Sequence, residues 1–404
     1  MDPDPRRVIA DLRELDRLTG GPAGAQRVCW TDTWVKARDF LRGRLAEIES
    51  AEVSVDAAGN LWARVAGRKR ETVALGSHLD SVPAGGWLDG ALGVMGALEV
   101  LRVASAADPE RSVALVDFAD EEGTRFGRSL FGSSAVAGTL HPASLATLTD
   151  RDGRPLAEVL AEHGVELGRV GDAGRGLDDT VAYLELHIEQ GPVLEREGIR
   201  AAAVTGTAGV ERLLFTFDGQ SSHAGTTPMD LRSDAGLSAA ATALAVEQVA
   251  TRHAGVGTTG AVTLEPGVVT TVPGRAEMSV DLRHPEAAPL AAMLEDVRAA
   301  ARDVAATRGC EVDESPIWRI EPIAFDERLV SAVREATGGA PAIASGALHD
   351  AAEMARRVPA AMVFSSSTAG ISHAKEEDTP EPDLEAAISA YSELALRVIA
   401  GEVV

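Results

Sequence analysis

Cysteine is scarce: the 404-residue chain has only Cys29 and Cys310. They form no C-x-x-C and no paired spacing, so neither a disulfide framework nor a thiolate zinc site is indicated. Histidines and carboxylates must therefore supply any metal site. Lysine occurs only as Lys36, Lys69 and Lys375, and arginine carries the positive charge, a bias of composition without functional content. The formal net charge is -24 and no concentrated basic patch interrupts it. Phosphate backbones need such a patch, so a nucleic-acid partner is not expected, whereas the charge favours solubility. Aromatic residues are 4% of the chain, and its helical stretches are rich in alanine instead. No apolar run approaches a membrane span. The first twenty residues scatter Asp, Arg and Glu among their apolar positions, unlike the apolar core of a signal peptide. A cytoplasmic enzyme with no membrane partner is the expectation.

The length exceeds what one hydrophobic core usually serves, which predicts two domains. Apolar residues recur at helical spacing from Val8 to about Ser50, predicting two helices. Asn60 to Val65 and Thr72 to Leu75 read as neighbouring strands around a turn at residues 67–70, and Gly90 to Ala104 as a buried helix. Between about Val210 and Pro322 the pattern changes to β-α-β-β-α-β, the split βαβ or ferredoxin-like order. The chain then returns to helix, strand and helix. The predicted fold is α/β: a mixed-sheet catalytic domain over 1–209 and 323–404, with an inserted ferredoxin-like α+β domain over 210–322. An insertion joined by two linkers can hinge as a lid.

Five side chains of metal-ligand type, His78, Asp89, Glu122, His187 and His373, stand at or just past apolar runs that read as strands. In open α/β sheets such ends converge on one crevice. Taken singly, each is more often a hydrogen-bonded loop residue, and an acidic pair such as Glu121–Glu122 is more often a solvated turn. Together they match the count for two metals, with a bridging carboxylate and terminal ligands on each ion. Asp89 can bridge, since its two oxygens can each take one metal, and the glycines of its loop let the backbone approach closely. Glu121 and Glu122 point to opposite sides in extended chain, so one can bind metal while the other faces the activated water. Asp80 lies two residues beyond His78 and can orient its imidazole. His223 lies in a loop of the inserted domain, as a plain loop residue or as a donor to a developing oxyanion after closure or across a dimer contact. His141, His163 and His253 read as surface residues.

These segments are similar to the carbamoylase group of the aminoacylase/carboxypeptidase-type dinuclear metallohydrolases. That group includes N-carbamoyl-L-amino-acid hydrolases, β-ureidopropionases and allantoate amidohydrolases. Gly-Ser-His-Leu-Asp-Ser-Val-Pro, Gly-Gly-Trp-Leu-Asp-Gly, Asp-Glu-Glu-Gly-Thr-Arg-Phe, His-Ile-Glu-Gln-Gly, Ser-His-Ala-Gly-Thr-Thr-Pro-Met and Gly-Ile-Ser-His occur in the group's order through nearly the whole chain. The resemblance implies two divalent ions, zinc with manganese, cobalt or nickel as substitutes. His78 and His187 would hold one, Glu122 and His373 the other, and Asp89 would bridge them. Glu121 would be base and proton shuttle in an attack by metal-bound hydroxide. Gln190 would touch the carbamoyl group and Arg283 the substrate carboxylate. His223 would serve the partner's active site in a homodimer built through the inserted domain.

Three positions depart from that group: Gly267, where relatives carry the Asn of a Pro-Asn pair, Thr270 and Leu348. Thr270, after Pro266-Gly267, stands where relatives carry a substrate-holding Asn, and Leu348 replaces a Gly just before His349 in the expected substrate pocket. The implied substrate is an N-carbamoyl or ureido acid, cleaved at a linear C–N bond to amino acid, ammonia and carbon dioxide. Allantoate, N-carbamoyl-β-alanine and another N-substituted acid are alternatives. His187, with Gln190 nearby, speaks against a peptidase. The complete ligand set with both glutamates speaks against a silent binding protein on a hydrolase fold.

Overall fold

Strands covered on both faces read as unbroken apolar runs and occupy the middle of a parallel sheet. A computed structural model describes residues 1–404, the exposure of Gly176 excepted, and it places four such strands at the centre of a nine-stranded sheet. Arg111–Phe118 and Ala360–Ser365 are buried throughout, as are the carboxyl-terminal parts of Lys69–His78 and Thr180–Ile188. In lateral order seven of the nine strands run Ala201–Thr207, Ala360–Ser365, Thr180–Ile188, Lys69–His78, Arg111–Phe118, Leu61–Val65 and Ala51–Val55, and the two short ones, Ile323–Ala324 and Ile343–Ser345, pair with Ala201–Thr207. The middle four are mutually parallel, and the flanking ones antiparallel.

From Lys69–His78 the chain crosses to Arg111–Phe118 on one side, whereas the path from Thr180–Ile188 leads to Ala360–Ser365 on the other. The sheet therefore has a switch point beyond the carboxyl ends of Lys69–His78 and Thr180–Ile188, where a ligand crevice is expected.

The expected adjacency of the strands at 60–65 and 72–75 is incorrect. Arg111–Phe118 lies between them, pairing antiparallel with Leu61–Val65 and parallel with Lys69–His78. Burial explains the order. Leu61–Val65 alternates between buried and half-buried, which suits a place near the edge, while the wholly buried strand must lie inside. The intervening turn wraps the start of that inner strand, Arg68 N–H donating to Pro109 O at 2.9 Å and Lys69 N–H to Glu110 O at 2.7 Å.

Helices cover both faces. Pro5–Thr19, Ala91–Ser105, Glu327–Ala336 and Glu381–Ile399 fill one layer. Phe131–Ala137, Leu156–Glu162 and Asp350–Met354 contribute to the other. Local sequence starts two of these helices: Asp4 caps the first by accepting the Arg6 N–H, and Asp326 caps the Glu327 helix by accepting those of Arg328 and Leu329.

The chain divides into two compact units. The first is Met1–Thr205 with Ala324–Ile343 and Ala347–Val404; the second is Gly206–Ile323 with Ala344–Gly346. The second contains an antiparallel four-stranded sheet in the order Val256–Glu265, Arg275–His284, Gly209–Asp218, Glu311–Ile320. Numbered along the chain this is 2-3-1-4, with helices Ala235–Arg252 and Ala287–Thr307 completing the β-α-β-β-α-β order. Among the described residues, no helix is long and apolar enough to cross a membrane.

Candidate metal centre

The switch point gathers the ligand-type side chains of the first unit. His78 closes its strand, His187 lies near the end of its neighbour, and their rings are 6.1 Å apart. Asp89 comes from the loop before the Ala91–Ser105 helix and lies between the two sides of the site. Its Oδ1 is 3.2 Å from His187 Nε2 and 3.8 Å from His78 Nε2, and its Oδ2 is 3.2 Å from His373 Nε2. Glu122 Oε2 is 3.5 Å from the same His373 nitrogen. Two of the three-residue clusters, His78–Asp89–His187 and Asp89–Glu122–His373, share Asp89, and a further one, Glu185–His187–His349, shares His187.

Glu121 and Glu122 occupy a bend, not an extended strand, yet their side chains diverge. Glu121 Oε2 approaches His78 Nε2 at 3.6 Å and belongs to none of these clusters. The Asp80 carboxylate accepts the N–H groups of both glutamates at 3.2 Å and thereby fixes the bend. His78 Nδ1 bonds the Asp80 main-chain oxygen at 3.0 Å and stands 3.6 Å from its carboxylate. The residue expected to orient the imidazole through its side chain does so through its backbone.

Gln190 Nε2 donates to Asp89 Oδ2 at 2.9 Å and to Ser372 Oγ at 3.1 Å. Asp120, Gln190 and His373 have φ of 58°, 57° and 55°, a left-handed backbone that non-glycine residues seldom adopt and that concentrates at functional sites. Gly90 is there of necessity: a Cβ would meet His78 Cε1 at 2.4 Å, and its φ is +63°.

The electrostatics suit a cation site. Burial pushes the Glu121 carboxyl well up, helped by Asp350 and Glu122. Burial and Asp89 hold Glu122 up at about 8, and burial raises Asp80 to about 6. Burial drives His78 down to about 4, whereas hydrogen bonding and charge from Asp89 outweigh burial at His187, at about 9. The bond to Asp89 likewise lifts His373 to about 9. Like charges at about 4 Å repel by about 4 kcal/mol at an effective dielectric of 20. The crowded, buried carboxyls of Glu121 and Glu122 are thus disfavoured in their charged forms, and divalent cations would offset that repulsion. The N/O donor set fits zinc and its first-row substitutes.

The sequence matches peptidase family M20/M25/M40 over residues 74–397. The chain belongs to this family. An N-carbamoyl-L-amino-acid amidohydrolase of Paenarthrobacter aurescens is 36% identical, with 97% of each chain covered. An allantoate amidohydrolase of Bacillus subtilis is 32% identical over 97% of this chain and 98% of its own. A crystal structure of an amidase of the hydantoinase/carbamoylase family from Burkholderia multivorans is 35% identical, covers 99% of this chain and 98% of its own, and superposes with a TM-score of 0.89.

The remaining candidates of this M20-family chain fall in two places. His349 is buried in the first unit with its ring 4.5 Å from that of His187, and Leu348 before it is half-buried. His223, Thr270 and Arg283 belong to the second unit. His223 is exposed and pairs with Thr271 across a short ladder, and Ala224 N–H donates to Thr270 O at 2.9 Å, so His223 and Thr270 are neighbours. Arg283, near the far end of the Arg275–His284 strand, is held by Asp281 at 2.8 Å and by Gly346 O at 2.8 Å.

Several residues escaped the sequence reading. Glu377 accepts the N–H groups of Leu88 and Asp89 and the Ser372 hydroxyl, so it supports the loop that carries Asp89. Its setting in Lys-Glu-Glu-Asp looks like a solvated acidic run. Glu185 is fully buried behind His187, where it accepts from Ser77 Oγ at 2.7 Å and from Ala351 N–H at 2.8 Å. A glutamate inside the apolar run 181–186 was an available signal. His163 is not a surface residue: it is half-buried, with its ring 5.5 Å from Trp30. His253 is half-buried as well and bonds Asp296 at 2.8 Å.

Proposed function

We propose that the chain is a dinuclear metal-dependent hydrolase of the linear C–N bond in an N-carbamoyl amino acid. The observation that carries this reading is the pair of ligand clusters sharing Asp89, with Glu121 beside them and outside both. His78 and His187 would hold one ion and Glu122 and His373 the other, with Asp89 shared between them. Two such ions supply Lewis acidity at the substrate carbonyl and a water that loses its proton near neutral pH. Glu121 Oε2 would take a proton from the attacking water and deliver it to the leaving nitrogen, the exchange expected of a buried carboxylate with a raised pKa. For a carbamoyl substrate one water then yields amino acid, ammonia and carbon dioxide. Asp80 keeps Glu121 and Glu122 in register through their backbones. Gln190, bonded to Asp89 Oδ2, lies beside the shared carboxylate and there would meet the carbamoyl group, while His349 packs against His187.

The second unit completes the enzyme as lid and dimer contact. Support comes from its edge strand Val256–Glu265, which exposes Val256, Val262 and Leu264, and from Leu237 and Leu244 exposed on the helix next to it. Arg283 supplies a guanidinium for the substrate carboxylate once its bonds to Asp281 and Gly346 O are exchanged, and the His223–Thr270 pair serves the partner's site. Similarity to an allantoate amidohydrolase over nearly the whole chain supports allantoate as the alternative substrate.

The test is ammonia release by metal-reconstituted protein from N-carbamoyl-L-amino acids, N-carbamoyl-β-alanine and allantoate, against a chelated control. Metal-dependent release from an N-carbamoyl-L-amino acid is the expected result. Release from allantoate alone selects the alternative, and silence across the panel overturns both.

A further inference from the structure

The peptide between His78 and Asp80 is gripped from both sides by buried arginines from the N-terminal segment. Leu79 O accepts from Arg27 Nε at 2.8 Å. Leu79 N–H donates to Asp117 Oδ1 at 2.8 Å, and Asp117 Oδ2 accepts from Arg38 Nε at 2.7 Å. Arg38 also donates to Asp117 O at 3.0 Å and Gly59 O at 2.5 Å. Arg27 is joined to the next turn a second time, its N–H donating to Ser81 Oγ at 3.0 Å and its carbonyl accepting from Ser81 N–H at 3.1 Å.

Burial makes these arginines informative. Arg27 is 0% exposed and Arg38 4%. Neither Nη of Arg27 has a protein partner, so its guanidinium is held in the interior by one side-chain bond and by the carboxylates of Asp16, Asp89, Glu377 and Asp80 around it. Burying a cation with so few bonds is costly, and a structural clip could be made more cheaply from apolar side chains. Both residues precede 74–397, the stretch matched by the family.

We infer that Arg27 and Arg38, the latter through Asp117, are positioning residues for the metal centre. They lock the Leu79 peptide, which aims His78 at Asp89 on one side and places the Asp80 carboxylate under Glu121 and Glu122 on the other. The inference rests on the metal-centre reading above. A residue behind a ligand typically changes metal affinity about tenfold to a hundredfold.

The test compares parent, Arg27→Met, Arg27→Gln and Arg38→Lys in the full-length protein. Zinc affinity is measured by competition with a chelating dye, ligand geometry by the visible spectrum of the cobalt-loaded protein, and folding by thermal melting of the metal-free form. Arg27→Met is expected to weaken at least one zinc site about tenfold or more, to shift the cobalt spectrum and to lower kcat with little change in KM. Arg27→Gln, which can still donate to Leu79 O, should recover most of the affinity and spectrum. Arg38→Lys keeps the charge but loses the fork on Asp117, and should alter the spectrum as well. Should Arg27→Met not fold, the other two variants decide. Folded variants with parental affinity and spectrum overturn the inference and leave the metal centre standing. A parent that binds no zinc overturns both.

Discussion

Glu121 Oε2 stands 3.6 Å from His78 Nε2, close to one ligand cluster without belonging to it. Its neighbour Glu122 instead faces His373 within the other cluster. The two glutamates therefore predict different losses. Glu121→Gln should retain both ions and lose turnover by about a hundredfold to ten-thousandfold. Glu122→Gln should lose metal from the His373 side. Metal content by elemental analysis beside kcat separates the two, and near-normal turnover in Glu121→Gln would remove it from the proton path.

Gly90 tests the packing of the same histidine. A methyl group there meets the His78 ring at 2.4 Å in a backbone at φ +63°, so Gly90→Ala must displace the ring or the loop. The strain alone costs about 1–3 kcal/mol. The expected result is a lower melting temperature together with loss of metal from the His78–His187 side. A variant that melts as the parent does and keeps two ions would contradict the role given to His78.

The pH dependence of metal uptake follows from the imidazoles. In the metal-free protein His187 and His373 are both held at about 9 by Asp89, so both are protonated at pH 7, while His78, at about 4, is neutral. A ligating histidine must be neutral, so binding expels protons. Affinity should therefore rise with pH from 6 to about 9 and then level off. Glu122, raised to about 8, adds to the release. Calorimetric titration with zinc in buffers of different ionisation enthalpy measures the protons directly. Affinity independent of pH across that range would show that His187 and His373 carry no proton in the metal-free protein.

Much of the site was legible because its chemistry sits where strand periodicity breaks. His78 ends an apolar run, and Glu121, Glu122 and His373 follow one, so a sheet with parallel central strands carries them to one edge whatever its detailed order. The β-α-β-β-α-β order of the second unit was equally open to reading, since each element is long and its period distinct. Lateral order in the first sheet was not. Leu61–Val65 and Lys69–His78 adjoin in sequence, and only the burial of Arg111–Phe118 on both faces separates them. The supporting groups were hidden for a different reason. Arg27, Arg38, Asp117 and Glu377 are charged residues in stretches that read as surface or as strand, and their value lies in partners 38 to 289 residues away. His163 reads as solvated from its charged neighbours, and only the fold brings Trp30 and Trp34 against it.

Assembly supplies the last prediction. His223 and Thr270 are neighbours on the second unit, and His223 is proposed to act in the partner's site. Glu121→Gln and His223→Ala should each be nearly inactive as homodimers. In a hybrid of the two, one site combines the intact Glu121 of its own subunit with the intact His223 of its partner. Random mixing makes about half of the dimers hybrids with one working site of two, so activity should return to about one quarter of the parent. If His223 serves its own subunit, every site in the mixture lacks one of the two groups and no activity returns. Dissociating and reassembling the purified variants together, with each alone as control, reads the difference directly. Restored activity would place His223 across the dimer contact, and its absence in verified hybrids would return His223 to its own chain.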